Sequence, residues 1–210
     1  MITKITIISM ALLLLSNCSN KVKSNPNPTV INNKTEDDFS DCKKIYKKFN
    51  NKFALEENDS ALIYINQAIK CNPKSSNYKF TKVRFLVETK NYNDAIIQLD
   101  ELIINSEDPA FKMEKGTIFL KINEKNAIKA LRDAYNDYDK IQNPTSNNQF
   151  CKIALDNYFK GKEYALKEID KFKENYKDKG YENQNINFLE ELINKETKEN
   201  VLFKLFSIND

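Results

Sequence analysis

The amino-acid sequence predicts an all-α protein, and three features of the chain support this prediction. From Asp41 to the end of the 210 residues, Pro and Gly, which interrupt helices, are sparse. Apolar residues recur there at intervals of three and four, which is the spacing of one helix face, and no segment alternates as a half-buried strand does. The pattern of apolar residues also repeats after 34 residues.

The N-terminal residues predict export from the cytoplasm. Residues 1–17 contain a positive charge at Lys4, a mainly apolar run of eleven residues from Ile5 to Leu15 and a short polar stretch before Cys18. A membrane-spanning helix needs about 20 apolar residues, so we interpret this segment as a secretory signal peptide. It resembles the signal of bacterial lipoproteins, in which Leu stands three residues before the Cys that receives the lipid, as Leu15 does here. Asn17 stands where that family usually has Gly, Ala or Ser. The resemblance implies lipid attachment at Cys18, and the alternative is a secreted protein whose Cys18 is free or in a disulfide.

Residues 18–40 are predicted to be a disordered tether between the lipid and the folded domain. They are rich in Ser, Asn, Pro and charged residues and contain little that a core could bury. The resemblance to lipoproteins implies, from Ser19, transport to the outer membrane, and no acidic run follows Cys18 to indicate surface export. We therefore expect a protein of the bacterial cell envelope that is lipid-anchored to the outer membrane and faces the periplasm.

A repeated pattern of paired helices begins at residue 41. Ala61 and Ala95 lie 34 residues apart, and each is followed four and seven residues later by a residue of the same apolar face. A stripe of aromatic and apolar residues precedes each Ala, which predicts a first helix before each second helix. A small residue lets the two helices approach closely, and the stripes bury surface that neither helix could bury alone. The first two copies comprise Tyr46, Phe49, Phe53, Ala61, Ile65 and Ala68, and then Phe80, Val83, Val87, Ala95, Leu99 and Leu102.

Two later copies are weaker and differ in length. Their small residues, Ala127 and Ala165, follow Ala95 at successive steps of 32 and 38 residues. In the third copy, Lys112 and Lys115 stand where the first-helix stripe should be apolar. The other residues of these copies are Gly116, Phe119, Leu131 and Ala134, and then Phe150, Ile153, Ala154, Ile169 and Phe172.

The period, the stripes and the connecting turns resemble the tetratricopeptide repeat. Residues 89–96 are similar to that family's turn between the two helices, and Asn72-Pro73 is similar to its closing Pro. The resemblance covers residues 41–178 and implies a right-handed superhelix of antiparallel helix pairs, about four repeats in all. Residues 179–210 are predicted to form a C-terminal capping helix or helices, because an array needs an element that covers its last face. The alternative for this segment is an amphipathic helix on a membrane surface.

Two cysteines are predicted to form a disulfide. In an antiparallel helix pair the start of the first helix lies beside the end of the second, so Cys42 and Cys71 should meet although 29 residues separate them. Such a bond requires an oxidising compartment, which export would provide. Cys151 is expected to pack in the core and not to act as a nucleophile, because the chain has no His to activate it.

The composition argues against an enzyme and against a nucleic-acid-binding protein. Because His is absent, every mechanism that uses an imidazole is excluded. Of the 33 cationic residues only Arg84 and Arg132 are Arg, and Lys alternates with Asp and Glu as on solvated helix faces. Adjacent carboxylates such as Glu190 and Glu191 point about 100° apart on a helix, so we expect them at the surface. We predict no catalytic residue, no cofactor and no metal site.

The partner surface is predicted on the concave face, which the first helices of the repeats line. We expect a protein or peptide ligand there, extended or helical and in part acidic. The leading hypothesis is a non-enzymatic adaptor in envelope assembly or transport. The alternative is an immunity or inhibitor lipoprotein that neutralises a toxin or hydrolase, and a hydrolase that uses only carboxylates is a third hypothesis. The candidate contact residues are Lys47, Asn51, Tyr78, Thr81, Phe85, Met113, Thr117, Leu155 and Tyr158. For Phe85 and Leu155, packing against neighbouring repeats is an equal alternative.

Overall fold

A computed structural model of the chain describes residues 36–177 and 179–208. Within these residues there are ten helices and no strand, which confirms the all-α prediction. The first helix begins at Glu36 and so includes the last residues of the segment predicted as a tether. The predicted signal peptide, Cys18 and the rest of the tether lie outside the described residues. The helices are α1 (Glu36–Ala54), α2 (Asn58–Cys71), α3 (Ser76–Glu88), α4 (Tyr92–Asn105), α5 (Pro109–Lys121), α6 (Ala127–Asp139), α7 (Ser146–Lys160), α8 (Lys162–Asn175), α9 (Gly180–Lys195) and α10 (Lys198–Leu205).

Consecutive helices pack as pairs. The main contacts join α1 to α2, α3 to α4, α5 to α6, and α7 to α8. Short connections between packed helices make each pair antiparallel, as the repeat pattern predicts. The chain divides into two compact units, one containing α1–α4 up to Ser106 and one containing α5–α10 from Glu107 onward.

The second helix of every pair buries the stripe that the sequence predicts. The small residues Ala61, Ala95, Ala127 and Ala165 are at most 4% exposed. The residues four and seven positions later in each helix are also buried. This burial removes apolar surface from water, which stabilises each pair by about 25 cal/mol for every Å² covered. The buried residues of these stripes are Ile65 and Ala68, Leu99 and Leu102, Leu131 and Ala134, and Ile169 and Phe172.

The first helices α1, α3 and α5 end in the same turn. The residue after each C-cap has a left-handed backbone, with φ of 59° at Glu56, 60° at Lys90 and 57° at Asn123. In each turn the following amide donates to the carbonyl five residues earlier, as Asn91 N does to Leu86 O over 2.7 Å. This hydrogen-bond pattern is the Schellman motif, which satisfies the last carbonyls of a helix. The turn therefore recurs with nearly the period of the sequence.

The predicted disulfide is confirmed. Cys42, near the start of α1, is bonded to Cys71, the last residue of α2, with a Cα–Cα distance of 5.6 Å. The bond joins the two ends that an antiparallel pair brings together. It closes a 29-residue separation in the sequence and crosslinks the first helix pair.

The last two helices cover the unit that contains α5–α8. Helix α9 packs mainly on α8, and α10 packs on α5, α7 and α9. The apolar residues of α10, Val201, Leu202 and Leu205, are buried in these contacts and do not form an exposed amphipathic face. No helix in the described part of the chain is both long enough and apolar enough to span a bilayer.

Candidate functional site

In the unit that contains α1–α4, the predicted contact residues divide into accessible and buried ones. Lys47 and Asn51, one turn apart on α1, are exposed, and Thr81 on α3 is half-buried. Tyr78 and Phe85 on α3 are buried. A partner that approaches this unit can therefore contact the α1 residues directly, whereas the two aromatic rings of α3 belong to the interior.

The buried rings of α3 hold the first helix of one pair against the first helix of the next. The ring of Tyr78 stacks on that of Tyr46 with centroids 4.9 Å apart, and the Tyr46 hydroxyl forms a hydrogen bond of 3.1 Å with Thr81 Oγ1. The ring of Phe85 meets that of Phe53 edge to face at 5.4 Å. Aromatic pairs in these geometries stabilise by about 0.5–1.5 kcal/mol beyond their buried area. Of the two alternatives for Phe85, the structure therefore shows packing between neighbouring helix pairs and not an exposed contact residue.

In the other unit, the four predicted contact residues are all buried. Met113, Thr117 and Leu155 are at most 1% exposed, and Tyr158 is 7% exposed. The Thr117 hydroxyl donates to the carbonyl of Met113, 2.8 Å away on the same helix. In the state described here these side chains do not offer a surface to a second protein.

Helix α10 lies on the two first helices that carry these residues. It packs on α5 and α7, where the repeat resemblance predicts a ligand. Lys198 Nζ lies 4.8 Å from the ring centroid of Tyr158 on α7. Lys121 Nζ, at the end of α5, lies 5.4 Å from the ring centroid of Phe203 on α10. The candidate binding face of this unit is thus occupied by a segment of the same chain.

Sequence reasoning missed a polar cluster centred on Asp156 of α7. The carboxylate of Asp156 is 3% exposed and accepts a hydrogen bond of 2.7 Å from the Tyr135 hydroxyl of α6. Lys160 Nζ lies 3.1 Å from Asp156 Oδ1, and Lys152 Nζ lies 3.5 Å from Asp156 Oδ2. The signal in the sequence is the row Lys152, Asp156 and Lys160, because residues four apart share one face of a helix.

The electrostatics of this cluster favour a structural role over acid–base chemistry. Burial raises the pKa of Tyr135. The hydrogen bond with Tyr135 raises the pKa of Lys160. Burial lowers the pKa of Lys152, but a hydrogen bond with Asp139 and the charge of Asp156 outweigh that effect, so its pKa is also raised. At neutral pH the phenol stays protonated and the ammonium groups stay charged, whereas a general base needs a pKa near the working pH.

The outer sides of α2 and α4 carry exposed isoleucines that the sequence analysis also missed. Ile63 and Ile97 occupy the same position of the 34-residue period and are 56% and 57% exposed. Ile104, two turns after Ile97 on α4, is 82% exposed. Each of these isoleucines lies outside the buried stripe of its helix. An apolar residue at such a position is the signal by which the sequence could have identified an exposed isoleucine.

The adjacent carboxylates Glu190 and Glu191 each form an ion pair with a lysine. Glu190 Oε2 lies 2.6 Å from Lys173 Nζ, and Glu191 Oε1 lies 2.6 Å from Lys195 Nζ. Among the described residues, no group of His, Cys, Asp and Glu is arranged to hold a metal ion. The Glu191 pair is exposed, whereas Glu190 and Lys173 are half-buried and join α9 to α8.

In comparisons with protein-family models, curated proteins and solved structures, nothing matches this chain. The function must therefore be inferred from the chain's own residues.

Proposed function

We propose that this protein is a lipid-anchored, non-enzymatic adaptor of the bacterial envelope whose helix pairs are tetratricopeptide-like repeats that bind a protein partner. The observation that carries the proposal is the fourfold use of one design, a first helix followed by a second helix with a buried small residue. Stacked units of this kind present extended surfaces to other proteins.

The partner surface that we propose in the first unit is the exposed side of α1. Lys47 and Asn51 are accessible there. The acidic residues of α1 lie at its start, at positions 36–38 and 41, whereas residues 43–52 carry five Lys and no acidic residue. Lys44 is paired with Asp41 and Lys52 with Glu57. A local excess of positive charge attracts an acidic partner and accelerates its association. The partner chemistry that fits is therefore an acidic segment of an envelope protein.

The anchor that we propose is a lipid on Cys18, and the alternative is a disulfide at the same sulfur. Cys42 and Cys71 are bonded to each other. Cys151, which the sequence predicts to be a packed core thiol, is instead disulfide-bonded, so the disulfide alternative at Cys18 is a bond to Cys151. Mass spectrometry of the protein purified from membranes distinguishes the two: we expect an acylated N-terminal peptide that begins at Cys18. We also expect Cys18→Ala to release the protein from the membrane fraction. A peptide that links residues 18 and 151 would overturn lipidation.

Site-specific crosslinking in living cells tests the adaptor proposal. A photoreactive amino acid at Asn51 should give a discrete adduct with an envelope protein, and the same probe at the exposed Lys167 of α8 serves as the matched control. Lys47→Glu should weaken the Asn51 adduct because it reverses a charge one turn away. Equal adducts from both positions, or none from Asn51, would overturn the proposal. A single adduct with a secreted toxin or hydrolase that the purified protein inhibits at nanomolar concentration would identify an inhibitor instead.

A further inference from the structure

The final helix of the chain occupies the face formed by α5 and α7. Helix α10 is eight residues long and follows α9 after only Glu196 and Thr197. Thr197 caps its N-terminus by accepting a hydrogen bond of 3.2 Å from Asn200 N. An eight-residue helix is too short to be stable alone in water. Its helical form therefore depends on the surface beneath it, as that of a bound peptide does.

The contacts of α10 define what this surface recognises. Val201, Leu202 and Leu205 provide buried apolar side chains. At one end α10 presents the cation of Lys198 to the ring of Tyr158, and elsewhere it presents the ring of Phe203 to the cation of Lys121. The surface therefore complements a helix with an apolar face, a basic residue at its start and an aromatic ring beside the apolar face.

We propose that the α5–α7 face is a binding site for an amphipathic helix of a partner protein and that α10 is its internal ligand. This inference rests on the proposed adaptor function and specifies the chemistry of one partner segment. An incoming helix of the same pattern would replace α10 and restore the buried apolar contacts that α10 gives up. Its apparent affinity is the intrinsic affinity multiplied by the fraction of molecules in which α10 is undocked.

A labelled peptide of residues 196–208 tests the exchange with the full-length protein. Binding is measured by fluorescence anisotropy to the wild type and to a variant with Lys198→Ala and Phe203→Ala. The substitutions remove two cation–aromatic contacts of α10 but leave the α5–α7 face and the peptide unchanged. Such contacts are each small, so we expect the variant to bind the peptide about 5- to 30-fold more tightly than the wild type.

A matched variant controls for the loss of one Lys and one Phe. Lys74→Ala with Phe80→Ala removes an exposed Lys and a half-buried Phe from the unit that contains α1–α4, and it should bind the peptide as the wild type does. We call the variant with Lys198→Ala and Phe203→Ala the loosened variant. Adding Lys121→Glu to it should weaken peptide binding, because this substitution replaces the cation that contacts Phe203 of the peptide. The proposal would be overturned if the wild type and the loosened variant bound the peptide with equal affinity. It would also be overturned if Lys121→Glu left the affinity for the peptide unchanged.

If the loosened variant does not fold, hydrogen exchange of the wild type tests whether α10 can leave the α5–α7 face. The amides of α10 should then exchange through an opening that leaves α5 and α7 protected. Exchange of α10 only together with α5 and α7 would overturn the proposal. Both measurements use purified protein without an envelope partner. They can therefore succeed where crosslinking from Asn51 fails, which separates this inference from the adaptor proposal.

Discussion

Gly116 of α5 lies directly against Leu131 of α6. A Cβ atom at Gly116 would be 2.8 Å from Leu131 Cγ and 2.9 Å from the Leu131 backbone nitrogen. The backbone nitrogen cannot move without shifting α6, so the absence of a side chain at residue 116 sets the distance between the two helices.

Gly116→Ala is therefore expected to destabilise the protein. Overpacking of a close contact typically costs about 1–3 kcal/mol, which exceeds the gain of about 0.5–1 kcal/mol from replacing a helical Gly by Ala. Urea denaturation should give a net loss of about 1–2 kcal/mol in the free energy of unfolding. Gly180→Ala is the matched control, because a Cβ at Gly180 meets nothing within 4 Å, and it should not destabilise. Equal stability of the two variants would contradict this explanation of the helix contact.

Glu56→Gly is expected to stabilise the protein. Glu56 has φ of 59° in the turn after α1, and a left-handed backbone costs an L-residue about 1–2 kcal/mol. Gly removes this strain but loses more conformational entropy on folding, so the expected net gain is about 0.5–1 kcal/mol in denaturant unfolding. Glu163→Gly makes the same substitution in the first turn of α8 and should cost up to about 1 kcal/mol. A loss of stability at both positions would show that the turn is not strained.

The helix pairs could be predicted from the sequence because their buried positions are periodic. Ala61, Ile65 and Ala68 lie on one face by spacing alone, and the same face is buried in every second helix. The left-handed turns could not be predicted in this way. Glu56 and Lys90 are not the Gly or Asn that usually signals such a turn, and the hydrogen bonds of the turn outweigh the local preference.

The candidate site was less predictable than the fold, because periodicity shows that a face is apolar but not what covers it. Met113 and Leu155 satisfy the pattern of a ligand-facing stripe, yet both are buried in a unit whose α5–α7 face carries α10. The Asp156 cluster was hidden for a different reason. Alternating Lys and Asp is typical of solvated faces, and only the structure places the Tyr135 hydroxyl against that carboxylate.

Breaking the Cys42–Cys71 bond should weaken the first helix pair. Substitution of both residues by Ser is expected to cost about 2–4 kcal/mol, because the crosslink restricts the unfolded chain. Urea denaturation of the double variant and of each single variant measures this loss. Either single substitution removes the bond, so the three variants should have similar stability. Wild-type stability of the double variant would contradict the prediction.

Tyr135→Phe should destabilise the unit that contains α5–α10. The substitution removes the donor to the buried Asp156 carboxylate, and hydrogen bonds to charged groups contribute about 1.5–3 kcal/mol. A double-mutant cycle with Asp156→Asn isolates the interaction. In the Asp156→Asn background the effect of Tyr135→Phe should fall to less than half. If the two substitutions are additive, the hydroxyl and the carboxylate do not stabilise each other.

Asp137 of α6 should make stability depend on acid pH. Burial acts to raise the pKa of Asp137, but hydrogen bonds from Lys112 and Lys140 outweigh it, so the pKa lies below the usual 3.8. A carboxyl group whose pKa is lower in the folded state stabilises the protein above its unfolded pKa of about 3.9. This contribution is lost as the pH falls through the folded pKa. Asp137→Asn should therefore be less stable than the wild type at pH 7, by up to about 1 kcal/mol.

The stability difference between the wild type and Asp137→Asn, measured at lower pH, tests whether the charge of Asp137 is responsible. Below the folded pKa the wild-type carboxyl group is neutral, so the stability difference from Asp137→Asn should disappear in urea titrations that extend to about pH 2–3. The matched control is Asp133→Asn, which removes an exposed pair with Lys129 on the same helix. Such pairs contribute only a few tenths of a kcal/mol at any pH. A difference between wild type and Asp137→Asn that stays constant down to the lowest pH would mean that the charge on Asp137 is not what stabilises the α5–α6 contact.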